Sequence, residues 1–163
     1  MTIKVALMMC GLTDKAKSAN KSQVKMLLER DSEIDIFVAA IEPAWSIDVE
    51  KLYTKWIKDV YLYGDEVLAK ERNLRSDKRT LQQYKRVVKC WQMVQNYEKR
   101  NKIKYDLVMR IRFDTSIENP LELEQFKDIQ DNQAIMFAGK ELRYKKTMNC
   151  CDAFIIAKHP VID

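Results

Sequence analysis

The chain of 163 residues is long enough for one domain with its own core and too short for a second full domain. Apolar residues make up 47% of it and charged residues 33%, which is typical of globular rather than disordered or fibrous proteins. The longest apolar runs, residues 5–10 and 36–41, are far shorter than the roughly 20 residues of a membrane-spanning helix. With no secretory signal pattern at the N-terminus, we expect a single domain over residues 1–163 in the cytoplasm.

The cysteines do not favour a metal site. Cys10, Cys90, Cys150 and Cys151 show no C-x-x-C spacing, and His159 is the only histidine. A zinc site normally needs four such ligands at short spacings. We therefore expect free thiols in a reducing compartment, most of them buried.

Positive charge is concentrated in the middle of the chain. The formal net charge is +5, and residues 69–112 hold 14 Lys or Arg against 4 Asp or Glu. Such asymmetry indicates an anionic partner, which is a nucleic acid, an acidic membrane surface or a phosphorylated small molecule. A solvated helix face explains the same pattern, and the composition does not separate these alternatives.

Strand and helix patterns alternate along the sequence. A near-continuous apolar run predicts a first strand at residues 3–9, and a helical stripe follows it over residues 15–30. The same criteria predict further strands at residues 34–41, 59–63, 105–112, 134–138 and 152–157, and helices at residues 47–57, 78–101 and 121–129.

This order predicts the α/β class, with one Rossmann-like domain built on a mostly parallel sheet that carries helices on both faces. In such sheets, ligands bind beyond the carboxyl ends of the strands. The residues that follow Met9, Ile41, Tyr63 and Arg112 are therefore the first places to look for a site.

Common catalytic motifs are missing from the sequence. The turn at residues 10–14 lacks the glycines and lysine of a phosphate-binding loop and of a dinucleotide-binding turn. There is no G-x-S-x-G elbow, and the single histidine disfavours a Ser-His or Cys-His nucleophile pair.

The most informative segment is residues 105–114, where a predicted strand ends in charged residues. On a strand, Arg110, Arg112 and Asp114 would point to one face. Burying these groups is costly unless they pair or bind something. The arrangement predicts either an internal ion-pair network or a site for an anionic ligand with a metal ion.

Four stretches carry a resemblance to a known family: residues 4–11, residues 34–38, the helix that begins Gln83-Tyr84-Lys85 together with the strand at residues 105–114, and residues 152–157. By these stretches, the chain resembles a group of glycosyltransferases with the GT-A fold, found in capsular polysaccharide synthesis and in large DNA viruses. The matches are spread over most of the chain.

The resemblance implies roles for particular residues. Asp114 would stand where these enzymes place the metal-binding carboxylate of an Asp-x-Asp motif, with Mn²⁺ or Mg²⁺ as the cofactor. The second acid of that motif is absent, because Thr115 and Ser116 follow Asp114. The remaining donor-binding residues that we infer are Cys10, Gly11, Leu12, Tyr84, Lys85, Arg110 and Arg112.

Three further assignments, one of them for Tyr84, have alternatives. Asp152 is the candidate general base toward the acceptor hydroxyl, or an aspartate that only begins a strand. Tyr84 also fits the apolar stripe of its helix, and we favour a core position for it. The basic residues 140–146 are either a loop over the diphosphate or a solvated connector.

The predicted function is transfer of a sugar from a nucleotide-sugar donor to a glycan or other hydroxyl acceptor, in the cytoplasm of a bacterium or a virus-infected host cell. The chain would be a minimal or truncated version of such an enzyme, or a domain that binds nucleotide-sugars without turnover. The rival from another class is a nucleic-acid-binding module with Tyr84, Trp91 and Tyr97 as stacking platforms. It is disfavoured because these aromatics follow one apolar helix stripe.

Overall fold

A computed structural model describes residues 2–11, 13, 16–28, 32–41, 45, 47–64, 76–129, 134–136 and 154–158. The strands are β1 (Lys4–Gly11), β2 (Glu33–Ile41), β3 (Ile57–Tyr63), β4 (Leu107–Ile111), β5 (Ala134–Met136) and β6 (Phe154–Lys158). The helices are α1 (Ala16–Gln23), which continues as a π-helical turn (Val24–Leu28), α2 (Ile47–Tyr53), α3 (Ser76–Asn101) and a short 3-10 helix (Leu123–Phe126). The type and order of these elements confirm the predicted alternation.

The strands form one six-stranded sheet in the order β3-β2-β1-β4-β6-β5. β1 pairs in parallel with both β2 and β4, and β2 pairs in parallel with β3. β6 is antiparallel to β4 and to β5. The prediction of a mostly parallel α/β sheet is therefore confirmed, with β6 as the strand that runs the other way.

Each face of the sheet has its own core, which explains the unbroken apolar runs in the central strands. On one face, Leu7 and Met9 of β1 belong to a cluster that α1, α2 and the 3-10 helix cover. On the other face, Met8 and Cys10 pack in a cluster with residues of α3. A parallel strand with helices on both sides has no solvent face, so its sequence does not alternate.

Helix α3 packs on the sheet through its second half. Cys90 and Val94 are fully buried, whereas Leu81, Tyr84 and Val88 are exposed, Tyr84 at 57%. The preference for a core position of Tyr84 was therefore wrong. Leu81, Tyr84 and Val88 lie about 120° to 180° around the helix axis from Cys90, so they face away from the sheet.

Replacement of Tyr84 should accordingly have little effect on stability. We expect Tyr84→Ala to change the free energy of unfolding by less than about 0.5 kcal/mol, because the side chain is already largely in solvent. Tyr97→Ala is the matched control, since the Tyr97 ring meets the Phe37 ring edge-on at 5.5 Å between centroids. It should cost about 2 kcal/mol. Urea unfolding of both variants checks the contrast, and equal losses would contradict it.

None of the helices in the described part of the chain is long and apolar enough to cross a bilayer.

Candidate functional site

The sheet reverses its direction of winding at β1. β1, β2 and β3 follow one another toward one edge of the sheet, and the chain then returns through α3 to place β4 on the other side of β1. Crevices outside the carboxyl ends of strands at such a switch point are where open α/β sheets bind ligands. Met9 of β1 pairs with Ile111, the last residue of β4, so both strands end side by side. We take this edge as the candidate site.

A tight turn follows β4 at this edge. The Thr115 backbone N–H donates to the Arg112 carbonyl at 3.2 Å, which closes residues 112–115. Phe113 is fully buried and packs against the rings of Trp45 and Tyr53, at 5.7 and 6.1 Å between centroids. The turn is therefore anchored by its second residue.

A buried glutamine on α1 holds the same turn. The Gln23 side-chain amide donates to the carbonyls of Arg112, Phe113 and Thr115 at 3.2, 3.4 and 2.8 Å. Its own carbonyl oxygen accepts the Tyr53 hydroxyl at 2.6 Å. Carbonyls in a buried turn need donors, and Gln23 is the side chain that supplies them here.

Arg112 and Asp114 form a two-pronged ion pair in the turn. Arg112 Nε lies 2.9 Å from Asp114 Oδ1, and Nη2 lies 2.7 Å from Oδ2. The side chains are 39% and 29% exposed, so the pair is open to solvent. Of the three predicted charges, the structure thus joins two.

The third charged residue, Arg110, lies apart from this ion pair. It belongs to β4 itself, and its side chain is only 4% exposed. Its strand neighbours Met109 and Ile111 belong to the core under α1 and α2, so Arg110 points to the α3 face. The strand ends at Ile111, and the period-two alternation that would have aligned all three charges ends with it.

At the predicted metal site, Asp114 already has an ion-pair partner. Both carboxylate oxygens of Asp114 accept from Arg112. Within the described residues, no three or more His, Cys, Asp or Glu side chains are grouped so that they could hold a metal ion. A cation at Asp114 would first have to displace the Arg112 guanidinium.

At the end of β1, Gly11 has a φ of +125°, a conformation that favours glycine. Among the described residues, apart from its chain neighbours, no atom lies within 4 Å of where its β-carbon would be. Leu12 and Asp152 lie outside the described residues, as do residues 140–146. The strand that follows Asp152 begins at Phe154, which pairs with Ile111 at the same edge.

Behind the end of β1, on the α3 face, two thiols meet two arginines. The sulfur atoms of Cys10 and Cys90 lie 3.6 Å apart, and both residues are fully buried. The hydrogen-bonding contact with Cys90 and the nearby charges of Arg110 and Arg86 lower the pKa of Cys10 despite its burial. Burial and the Cys10 contact raise the pKa of Cys90.

The expectation of buried free thiols is confirmed for Cys10 and Cys90. Cys150, Cys151 and His159 lie outside the described residues.

Tyr84 and Lys85 lie on the exposed side of α3, more than one turn before Cys90. The Lys85 carbonyl accepts the hydroxyl of Tyr63, the last residue of β3, at 3.5 Å, so this part of α3 lies near the carboxyl end of that strand. Of the aromatics proposed to stack on nucleic-acid bases, Trp91 is buried and Tyr97 packs on Phe37. Only Tyr84 presents its ring to solvent, which weakens the nucleic-acid alternative.

Two cavities lie at the opposite edge, where the parallel strands begin, and neither contains a predicted site residue. The first, of about 480 Å³, is lined by Thr2, Ile3, Lys104, Tyr105, Asp106, Leu107, Lys127 and Lys158. The second, of about 680 Å³, is lined by Leu28, Ser32, Glu33, Ile34, Asp35, Lys55, Trp56 and Lys58.

The buried tyrosine of the glutamine network gives the fold a testable pH dependence. Burial raises the pKa of Tyr53 from 10 to about 12. Between pH 10 and 12, the unfolded chain has lost a phenol proton that the folded chain keeps, so this contribution to stability is complete below pH 10 and falls as the pH rises.

We expect Tyr53→Phe to lose stability less steeply than the unchanged chain over this window. Urea unfolding at a series of alkaline pH values measures both slopes. Identical slopes would contradict the assignment.

Comparison with known proteins shows one family. The model of a family described as "Domain of unknown function (DUF7796)" matches residues 2–141 of the chain. This range includes β1 to β5, Gln23 and the turn at residues 112–115. No curated protein matches the sequence.

Proposed function

The chain belongs to the DUF7796 family, and we propose that it is a glycosyltransferase with a single GT-A-like domain, which moves a sugar from a nucleotide-sugar donor to the hydroxyl of a glycan or other acceptor. The observation that supports this most directly is the Arg112–Asp114 pair, solvent-open in a fixed turn at the β1–β4 switch point. The sequence resemblance supplies the reaction class.

Arg112 is the residue that we propose for the donor diphosphate. An ion pair that is partly exposed contributes only about 0 to 1 kcal/mol. The Arg112 guanidinium can exchange the Asp114 carboxylate for phosphate oxygens, which it binds with the same two-pronged geometry. Arg112 would then stabilise the negative charge that develops on the leaving diphosphate.

The turn fixes the place at which Arg112 would exchange one partner for the other. Gln23 and the buried Phe113 ring hold the backbone at Arg112 and directly after it, so the arginine side chain can move while the turn stays in place. Preorganised charge of this kind loses little free energy to rearrangement during the reaction. Arg110 and Cys10 are both too deeply buried for direct contact with a donor, so the donor-binding role predicted for each is wrong.

The assignment of a base for the acceptor hydroxyl rests on the sequence alone. We propose Asp152 as the base that accepts the proton of the acceptor hydroxyl, and a base must come within hydrogen-bonding distance of that proton. Gly11 would line the nucleotide, with Leu12, Tyr84 and Lys85 as further contacts. A divalent cation stays a prediction that the following experiment tests.

Thermal-shift measurements with a panel of nucleotide-sugars, each with and without Mn²⁺, test donor binding. A ligand that binds only the folded chain raises its melting temperature. We expect at least one nucleotide-sugar to raise it more than the matching free nucleotide, and to do so without Mn²⁺. Release of nucleoside diphosphate in the presence of sugar acceptors then tests turnover.

The outcomes separate the alternatives. Binding with turnover supports the transferase, and binding without turnover supports a non-catalytic nucleotide-sugar-binding domain. If no nucleotide-sugar shifts the melting temperature at any metal concentration, the proposal is wrong.

A further inference from the structure

The thiol pair between β1 and α3 has a geometry that the transferase proposal does not use. Cys10 is the last residue of β1 before Gly11, and Cys90 lies in the middle of α3. Their sulfur atoms are 3.6 Å apart, although the residues are separated by 80 positions in the sequence. The Cys90 sulfur also lies 3.5 Å from the Phe37 carbonyl oxygen.

We propose that Cys10 and Cys90 are a reversible redox site that closes into an internal disulfide between β1 and α3. A disulfide requires the sulfurs to approach to about 2 Å, which is a shift of about 1.5 Å from the observed contact. One helix that packs on a sheet can make such a shift, and neither strand pairing nor the Gln23 network has to change.

The surroundings favour Cys10 as the thiol that reacts first. Thiolates rather than thiols are the nucleophiles in this chemistry. Cys90 and the charges of Arg110 and Arg86 favour the thiolate of Cys10, whereas Cys90 keeps its proton. The pair therefore has one activated and one resolving sulfur.

The oxidant in the proposal is a small hydroperoxide, represented by hydrogen peroxide. The Cys10 thiolate attacks one peroxide oxygen and the O–O bond breaks, which gives a sulfenic acid on Cys10 and a hydroxide ion. The hydroxide takes up the proton that Cys10 released on ionisation and leaves as one water molecule. The Cys90 sulfur then attacks the Cys10 sulfur, the S–O bond breaks, and the hydroxide leaves as a second water with the Cys90 proton. Two thiols lose two electrons in total, and the peroxide takes up both.

The bond would tie the end of β1 to α3 beside the candidate site. It closes a loop of 80 residues, and cross-links over long loops restrict the unfolded chain strongly. We expect the oxidised form to melt several degrees higher than the reduced form. Because both thiols are buried, local opening of α3 should limit the rate of oxidation.

The test is a peptide map of the full chain. Reduced protein is treated with hydrogen peroxide, its remaining thiols are blocked with N-ethylmaleimide in denaturant, and it is digested with trypsin without reduction. We expect a cross-linked pair of peptides, residues 5–15 joined to residues 90–99, which disappears on treatment with dithiothreitol. The map needs no nucleotide-sugar, so this proposal and the transferase can fail independently.

Variants provide the controls. A Cys150→Ser, Cys151→Ser double variant should still form the cross-link and lose two hydrogen atoms in mass. In Cys90→Ser, Cys10 should be oxidised to its acids with no cross-link and no gain in melting temperature. The proposal is overturned if peroxide leaves both thiols of the unchanged chain open to the maleimide, oxidises Cys10 only to its acids, or links either cysteine to Cys150 or Cys151.

Discussion

Gln23→Ala should destabilise the fold by about 3 kcal/mol. The substitution removes the donor shared by the carbonyls of Arg112, Phe113 and Thr115 and leaves the Tyr53 hydroxyl without its acceptor. Buried polar groups that lose their partners cost about 1 to 3 kcal/mol each, and water that enters the cavity recovers part of that. Equilibrium urea unfolding at neutral pH measures the change.

Gln92→Ala is the matched control, since Gln92 is an exposed glutamine on α3. It should change stability by less than about 0.5 kcal/mol. If Gln23→Ala were as mild as this control, the turn at residues 112–115 would not depend on the amide. The account of how the structure fixes the backbone beside Arg112 would then be wrong.

The architecture was predictable because a strand that is buried on both faces has a nearly continuous apolar sequence. Apolar runs such as residues 5–10 predicted strands covered on both faces, and the structure buries all six of these side chains. Alternation of strand and helix predicted parallel pairing. The direction of β6 was not predictable from its own residues, because a short apolar strand has the same pattern whichever way it runs.

The site was less predictable than the fold. Asp114 and Arg112 could be selected from sequence, since charges that follow an apolar strand lie at its end. Gln23 could not, because a polar residue within an amphipathic helix is expected on the solvent side. Its carbonyl partners in the turn are 89 to 92 positions away in sequence, and only the tertiary fold brings the end of α1 to that turn.

Arg110 and Tyr84 show two other limits of pattern analysis. Strand alternation placed Arg110 with Arg112, but alternation holds only as far as the strand extends. For Tyr84, the spacing of three and four residues selected the right helix and the wrong face. An apolar pattern as wide as that of α3 does not show which part of the helix, or which of its faces, packs on the sheet.

The Arg112–Asp114 pair also allows a test that separates two kinds of donor binding. If Arg112 neutralises the diphosphate, the charge on Asp114 only holds the arginine when no donor is present. If a divalent cation does so, the Asp114 carboxylate must bind the cation and Arg112 must move aside. The two mechanisms predict opposite effects for changes at the two residues.

Under the arginine mechanism, Arg112→Ala should weaken binding of the best nucleotide-sugar by about 10- to 100-fold, because a hydrogen-bonded charge contributes about 1.5 to 3 kcal/mol. Arg112→Lys should lose about tenfold, since an ammonium keeps the charge without the two-pronged contact. Asp114→Asn should bind as well as the unchanged chain or better. Isothermal titration with and without Mn²⁺ measures each affinity.

The matched control is Arg100→Lys, an exposed arginine at the far end of α3, which should leave affinity unchanged. Melting temperatures of all four variants show whether each one is folded. We expect substitutions at position 112 to change the melting temperature little, because the ion pair of Arg112 is partly exposed. If Asp114→Asn abolishes binding and binding to the unchanged chain requires Mn²⁺, the cation mechanism is correct. The Arg112 guanidinium would then be the group that the metal displaces.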